Sequence, residues 1–561
     1  MNCKTANSTI NFLNKNIVTP ILILGVIIAG LFIQCSEEKK KSNDVDKWVF
    51  ESARKDINTL TEHFNPLYYR ASSIEVSKKP GIYHSDSLTI KFSAPNTTFF
   101  VLIYKNDTIT SKGSTISFSI YDFPNKLSQI PTSSKNYIKY AHNWNEPIGD
   151  FSTLHQLKLL AYNESTIVDS LNINYILGAK TNDKLPIANF RADRNWLFDA
   201  DSGCYVPGNS FNPKNENNSG NYYLFKKRKQ SCHLQLIDSN NEYINESFKW
   251  RIHGLMTPKA PQKSLRIYLN GANNVKELLK LNHKADKIIL RSAYSGWGTK
   301  PFVDGFIADA CRNLNLDVMA YKPVKMYLNG EYWGIHGVRE RIDLKAIANK
   351  YDIKKKKLID ADDKGYTNNK PGKLNKLLKI IKNDPNLPYD SVIVNYNLPS
   401  LIDWLAAEMF FQNNDWPGNN TFLWKQKSKS HKWKFILIDM DACIWKPDQN
   451  MFNEVINNES KDWGNIFISY LFNQKPFVLA FKERVDYLLE NDFSTERLSK
   501  ILLSYKELFD PAIEEHYYRW GKINGIEEYY NGLNTMKKFC LKRQEHFRNN
   551  LKQFILLKKF E

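Results

Sequence analysis

Residues 413–445 read NNDWPGNNTFLWKQKSKSHKWKFILIDMDACIW. Asn413, Asn414 and Asp415 crowd a turn set by Pro417 and Gly418, and Asn420 follows Asp415 by five positions. The preceding PSLIDWLAAEMFFQN carries apolar residues at helical spacing and predicts a helix over 399–412 that delivers those polar residues into the turn. After a short hairpin, WKFILIDMD reads as an apolar strand ending in Asp439 and Asp441, two acids on the same side of an extended chain. Two sets of acids and amides, one behind a helix and one ending a buried strand, point to a site for a metal and an anionic ligand.

The layout on either side is α+β. Short alternating runs such as SLTIKFSA, FFVLIYKND and STISFSIYDF predict an antiparallel, immunoglobulin-type β-sandwich over residues 75–180. A strand-rich part follows over 185–395, in which Asn329-Gly330 between two alternating runs is a strong hairpin signal. Residues 396–561 are mostly helical. At 561 residues the chain exceeds one core, and 42% apolar with 13% aromatic residues excludes a disordered chain.

The N-terminus predicts export. Lys4 and Lys15 precede the apolar run 17–34, which ends at Cys35. This resembles a bacterial lipoprotein signal over 1–35, with Cys35 lipidated; Gln34 stands where a small residue is usual, so an uncleaved anchor stays open. Residues 36–74 read as a tether with a short helical segment. Glu37 and Glu38 fit either a surface-export signal or a solvated linker. The net charge of +19 comes from scattered basic residues, which argues for a Lys-rich surface or an acidic partner and gives no ground for nucleic-acid binding. Cys204 and Cys232 are open to pairing or to burial as free thiols, and no cysteine shows metal-site spacing.

Phosphoryl transfer uses the residue types of the opening stretch. One carboxylate orients the acceptor hydroxyl, an amide and a second carboxylate hold Mg²⁺, and the protein-kinase catalytic loop has the same Asp-to-Asn offset. A Lys on a strand is then expected near the phosphates, and Lys263 begins such a run, with Gly254 to Pro261 placed to cover them. Neither GxGxxG nor a Walker loop occurs. His253 and His336 sit in strand contexts without a nucleophile motif and read as packed residues. A glycosidase pair of Asp415 and Asp439 leaves the amides and Lys263 unexplained. Trp416, Trp424, Trp433 and Trp445 suit either buried packing or a sugar platform.

LPIANFRADRNWLFDADSGCYVPGN (185–209), WRIHGLMTPKAPQKSLRIYLN (250–270), YKPVKMYLNGEYWGIHGVRERID (321–343) and the opening stretch together resemble the CotH, or spore-coat protein H, kinases, especially exported multidomain members of Bacteroidota-like bacteria. The resemblance implies a divergent two-lobed protein-kinase-like domain that binds ATP with Mg²⁺ and phosphorylates Ser or Thr of a secreted or surface protein. It implies that Lys263 contacts nucleotide phosphate, that Asp415 is the catalytic acid with Asn420 beside it, and that Asp439, Asp441 and Asn420 hold metal. Gly254 and Thr257 fall in its nucleotide loop, where Pro258 departs from the usual Arg. Glu340 is a candidate partner of Lys263 or a member of an Arg-Glu-Arg ion pair. Asp304 is retained in a stretch that otherwise departs from the family. The alternative is an inactive kinase-like lipoprotein that serves as a glycan- or protein-binding adhesion module.

Overall fold

The computed structural model describes residues 72–560 except 84, 106, 122–128, 135–143, 150, 179–183, 217, 239–241, 270–273, 363–365, 368–369, 429, 457–462 and 523. The expected signal, lipidation site, tether and first helical segment lie outside the described residues. The remainder is α+β, and Asn65–Glu561 form one compact unit.

Seven strands close into a barrel. In order around it they are Lys287–Arg291, Ser264–Tyr268, Glu242–His253, Gln230–Ile237, Ile187–Ala192, Tyr321–Leu328 and Glu331–Glu340, and the last pairs back onto the first. Every neighbouring pair is antiparallel except Ile187–Ala192 with Tyr321–Leu328. Asn329 and Gly330, both at positive φ (51° and 90°), make the tight turn expected between the last two strands. Alternation then sorts each strand into two faces. Phe190, Trp250, Ile252, Leu265, Ile267, Ile288, Leu290, Val324 and Val338 fill the interior, while the residues between them line the outer wall.

Strand Thr153–Asn163 continues this sheet by pairing Thr153 with Glu331, and it carries Phe99–Tyr104 and Thr166–Leu177 beside it. A three-stranded sheet containing Ser87–Ser93 and Thr115–Tyr121 shares a core with these strands, built from Ile90, Phe92, Phe100, Leu102, Leu157 and Ile173. Ser152 anchors the junction: its hydroxyl bonds Tyr327 Oη (2.9 Å) and Glu515 Oε1 (2.8 Å), and Glu515 also takes Lys325 (2.7 Å).

Against the outer wall stands a helical body. Its central helix, Leu398–Phe411, starts on the Asn397 side-chain cap with Pro399 in its first turn and is buried along almost its whole length. Three helices, Trp463–Phe472, Lys475–Glu490 and Gly525–Lys558, join its core through Phe410, Phe411, Phe472, Phe481, Phe539 and Phe547, and Thr495–Phe509 packs on the last of them. A four-stranded sheet, ordered Asp317–Val318, Lys434–Leu437, Phe422–Gln426 and Leu358–Ala361, takes strands from both sides of residue 396. The hairpin of the 413–445 stretch is thus the inner pair of this small sheet.

Candidate functional site

Four strands of the barrel each present one Arg outward. Register places them in a row: Arg251 lies opposite Arg266, Arg266 opposite Ile289, Ile289 opposite Arg339, and Arg339 opposite Tyr321. Arg291 comes two residues after Ile289, opposite Gly337, and Arg341 lies beyond Arg339 with its N–H on Lys287 O (3.1 Å). Like charges directly opposed on antiparallel strands repel. Arg251 bonds only neutral groups, Tyr268 Oη (2.8 Å) and Lys226 O (3.4 Å), and Arg266 meets His253 Nδ1 (2.7 Å). Among the described residues neither has a carboxylate at ion-pair distance. Desolvation, then Arg341 and Arg251, brings the Arg266 pKa down to about 10, and burial followed by Arg266 and the other arginines pushes His253 well below its ordinary value.

The acids come from two loops stapled together below this wall. The central helix ends at Gln412, in the left-handed region, and Arg543 from the last helix satisfies its terminal carbonyls at Met409 (2.9 Å) and Phe410 (2.9 Å). Asn413 is fully buried. Its amide donates to Glu408 Oε2 (2.8 Å) and Met440 Sδ (3.4 Å), and its Oδ1 accepts the Asp415 N–H (3.1 Å). Burial raises the Glu408 pKa to about 8, which favours the neutral form of the carboxyl under this loop. Asn414 N–H to Ala442 O (3.2 Å) and Ile444 N–H to Phe411 O (2.9 Å) tie the turn to residues 439–445. Lys300 fixes the same segment from beneath, donating to Cys443 O (2.7 Å) and Ile444 O (2.6 Å); burial lowers its pKa to about 8.

Asp439 and Asp441 reach one point by a different backbone from the extended strand expected. The strand stops at Leu437, Asp439 takes φ 58° in the left-handed region, and Asp441 lies in a 3₁₀ turn at Met440–Ala442. Both carboxylates meet Arg291 Nη2, each at 2.6 Å. Arg291 Nε lies 3.5 Å from Asp304, which also pairs with Arg339. The Asp439 side chain is 39% exposed and that of Asp441 7%. Desolvation opposes the charge on Asp439, but Arg291 and then Arg339 outweigh it and hold the carboxyl below its usual range. Desolvation is likewise overcome at Arg291, whose pKa Asp439 and Asp441 raise.

Lys263 requires a correction. It is 0% exposed, on the same side of its strand as Leu265, and its ammonium donates to Thr132 O (2.8 Å), Pro258 O (2.6 Å) and Ala260 O (2.9 Å). Tyr222 and Tyr205 face it at 4.5 and 5.2 Å. An ammonium has three donors and all three are taken, so Lys263 holds loop 258–260 and does not present its charge to a ligand. Glu340 is not its partner: it bonds His283 Nε2 (2.8 Å) and lines a separate cavity of about 310 Å³ with Met319 and Ile342. Gly254 (φ 113°) and Thr257 shape the turn before this loop, where the Thr257 hydroxyl bonds back to His253 O (3.2 Å).

Asp415 is exposed and Asn420 half-buried on the turn that the two staples hold against residues 440–442. His336 packs inside the barrel against Gln262 (3.1 Å), and His253 bonds Arg266, as expected of strand residues. Trp416, Trp424 and Trp433 are buried, whereas Trp445 is 45% exposed, above Lys300. Cys204 and Cys232 are free, buried thiols. Sequence reasoning missed the row of arginines, although FKWRIH and KSLRIY carry an Arg between apolar residues and KIILRS and HGVRER carry one directly after an apolar residue.

The fold and site define an α+β protein whose arginine-lined barrel wall meets a pair of carboxylates on a helical body. Residues 250–547, more than half of the chain, match the CotH kinase protein family, and the chain belongs to that family. No curated protein matches it.

Proposed function

We propose that the protein is an exported, atypical protein kinase that transfers the γ-phosphoryl group of ATP to a Ser or Thr hydroxyl of a secreted or surface protein. The observation that carries this is the outer barrel wall. Arg251 and Arg266 oppose each other without carboxylate partners, and the wall runs to Arg291 at the acids. A triphosphate has the charge density to offset such a row, and guanidinium forks match its oxygens. In this reading the barrel and the helical body act as the two lobes of a divergent kinase, with the N-terminal strands as an immunoglobulin-like accessory sandwich.

The residues at the acid end fit Mg²⁺. Two carboxylates already converge on one cationic point at Arg291 Nη2, and hard oxygen donors suit that metal. No group of three or more His, Cys, Asp or Glu gathers among the described residues, so Asp439 and Asp441 would be its carboxylate ligands, with the Asn420 amide, phosphate and water completing the shell. When bound, Mg²⁺ offsets charge on the transferring phosphates. Arg266 and Arg251 take over the phosphate contacts first assigned to Lys263. Asp415, on the exposed turn, orients the acceptor hydroxyl and accepts its proton. Glu408 and Asn413 hold that turn. The chain is anchored by lipid on Cys35 in the cell envelope, on the outer membrane or cell surface, and no nucleic acid is involved.

Thermal unfolding with and without Mg·ATP tests the site, because a ligand that binds only the native state stabilises it. Mg²⁺-dependent stabilisation is expected, with its loss in a folded Asp439→Ala protein; an unchanged response in that variant overturns the assignment. The enclosure of Lys263 favours one second reading, a kinase-like scaffold that binds glycan or protein. It predicts no response to Mg·ATP at millimolar nucleotide.

A further inference from the structure

We infer that Arg291 is a built-in counter-cation for Asp439 and Asp441, and that it lets a divalent metal enter only together with an anion that accepts the displaced guanidinium. The inference rests on reading the two acids as metal ligands and does not require phosphoryl transfer. One nitrogen, Nη2, touches both carboxylates at 2.6 Å, so a cation placed between them competes with Arg291 for the same oxygens.

Asp304, Asp439 and Asp441 face Arg291 and Arg339, which leaves one net negative charge among five buried or half-buried groups. A divalent metal alone reverses that sign and strips Arg291 of its two shortest contacts. Asp304, 3.5 Å from Nε and shared with Arg339, is then its one remaining carboxylate among those named, and a buried guanidinium so poorly paired is strongly unfavourable. The Arg291 backbone cannot retreat, because its strand pairs with Gly337 on one side and Ser292 N–H bonds Ser264 Oγ (3.1 Å) on the other. Only the side chain swings. On the wall it faces Arg339, whose charge it already opposes, so an anion has to bridge it there. A ligand carrying phosphate oxygens serves the metal and Arg291 together, which makes loading selective for metal·nucleotide over free metal.

The test uses the full chain with Mn²⁺ and no nucleotide, reading Mn²⁺ binding by electron paramagnetic resonance and Tm by thermal unfolding. Wild type is expected to bind Mn²⁺ weakly. Arg291→Gln is expected to lower Tm without metal, to bind Mn²⁺ at least about tenfold more tightly because a unit charge a few ångströms away is gone, and to recover Tm as Mn²⁺ is added. Arg291→Gln/Asp439→Asn then loses that gain. A purely structural Arg would lower Tm with no metal rescue, and unchanged Mn²⁺ affinity overturns the inference. Should Arg291→Gln fail to fold, wild type carries the test: inorganic triphosphate is expected to raise protein-bound Mn²⁺ above that seen with Mn²⁺ alone, and Mn²⁺ binding indifferent to the anion overturns the inference. A gain of Mn²⁺ binding in Arg291→Gln, when wild-type Tm ignores Mg·ATP, upholds the counter-cation, overturns its exchange for nucleotide and discards the kinase reading.

Discussion

Lys263 and Arg291 lie at the start and end of adjoining strands, yet their charges are treated in opposite ways. Lys263 points with Leu265 toward the barrel interior, where three carbonyls consume its donors and burial drives its pKa well down. Arg291 points outward and meets two carboxylates, which raise its pKa despite desolvation. Glu408, beneath the acid loops, shows a third outcome: with Asn413 as its amide partner it stays protonated. Of these three buried groups, the two that neutral groups satisfy serve the fold, and Arg291, which carboxylates satisfy, is the one open to exchange with a ligand.

The largest effect expected from this contrast is at Glu408. Its folded pKa of about 8 lies above the ordinary carboxyl value of 4.5, so its contribution is fully present below pH 4.5 and is lost as pH rises through about 8. That span corresponds to roughly 5 kcal/mol. Urea unfolding at pH 5, 7 and 9 should show the loss in wild type, and Glu408→Gln should remove that part of the slope. An identical pH profile in the variant would show that this acid is ionised in the fold.

Next is Lys263→Met, which leaves three carbonyls without a donor. A stability loss of about 3 kcal/mol is expected by urea unfolding, with Mg·ATP affinity of the folded protein nearly unchanged. Loss of nucleotide binding at full stability would return Lys263 to the phosphates and break the comparison. Arg266→Gln should do the reverse. Nucleotide affinity, read by calorimetry, is expected to fall by about tenfold or somewhat more. Tm without ligand should hold or rise slightly, because Arg251 loses a like charge directly opposite. A fall in Tm with unchanged affinity would make the wall structural.

Much of this architecture was readable from local pattern. The 413–445 stretch announced the central helix, the turn and the hairpin, and Asn329-Gly330 announced a second hairpin, because each depends on residues close in sequence. The convergence of Asp439 and Asp441 was also anticipated, although their meeting depends on a left-handed residue and a 3₁₀ turn instead of strand alternation. The arginine wall went unread because no single strand reveals it: each Arg is one outward residue among several, and only register aligns them. Motif order likewise does not state which face of a closed sheet a side chain joins, and Lys263 joins the inner one.

The sequence alone determined the α+β class, the acids and amides at 413–441, and family membership over 250–547, all of which follow from residue type, spacing and short-range backbone preference. Tertiary structure decided which cation meets those acids. The pairing of Lys287–Arg291 with Glu331–Glu340 closes the barrel and gives every strand an inside and an outside. That closure seals Lys263 against neutral carbonyls and turns Arg291 to the carboxylates. A one-residue change of parity moves a side chain from an apolar core to a charged wall, and only long-range strand pairing fixes which parity applies.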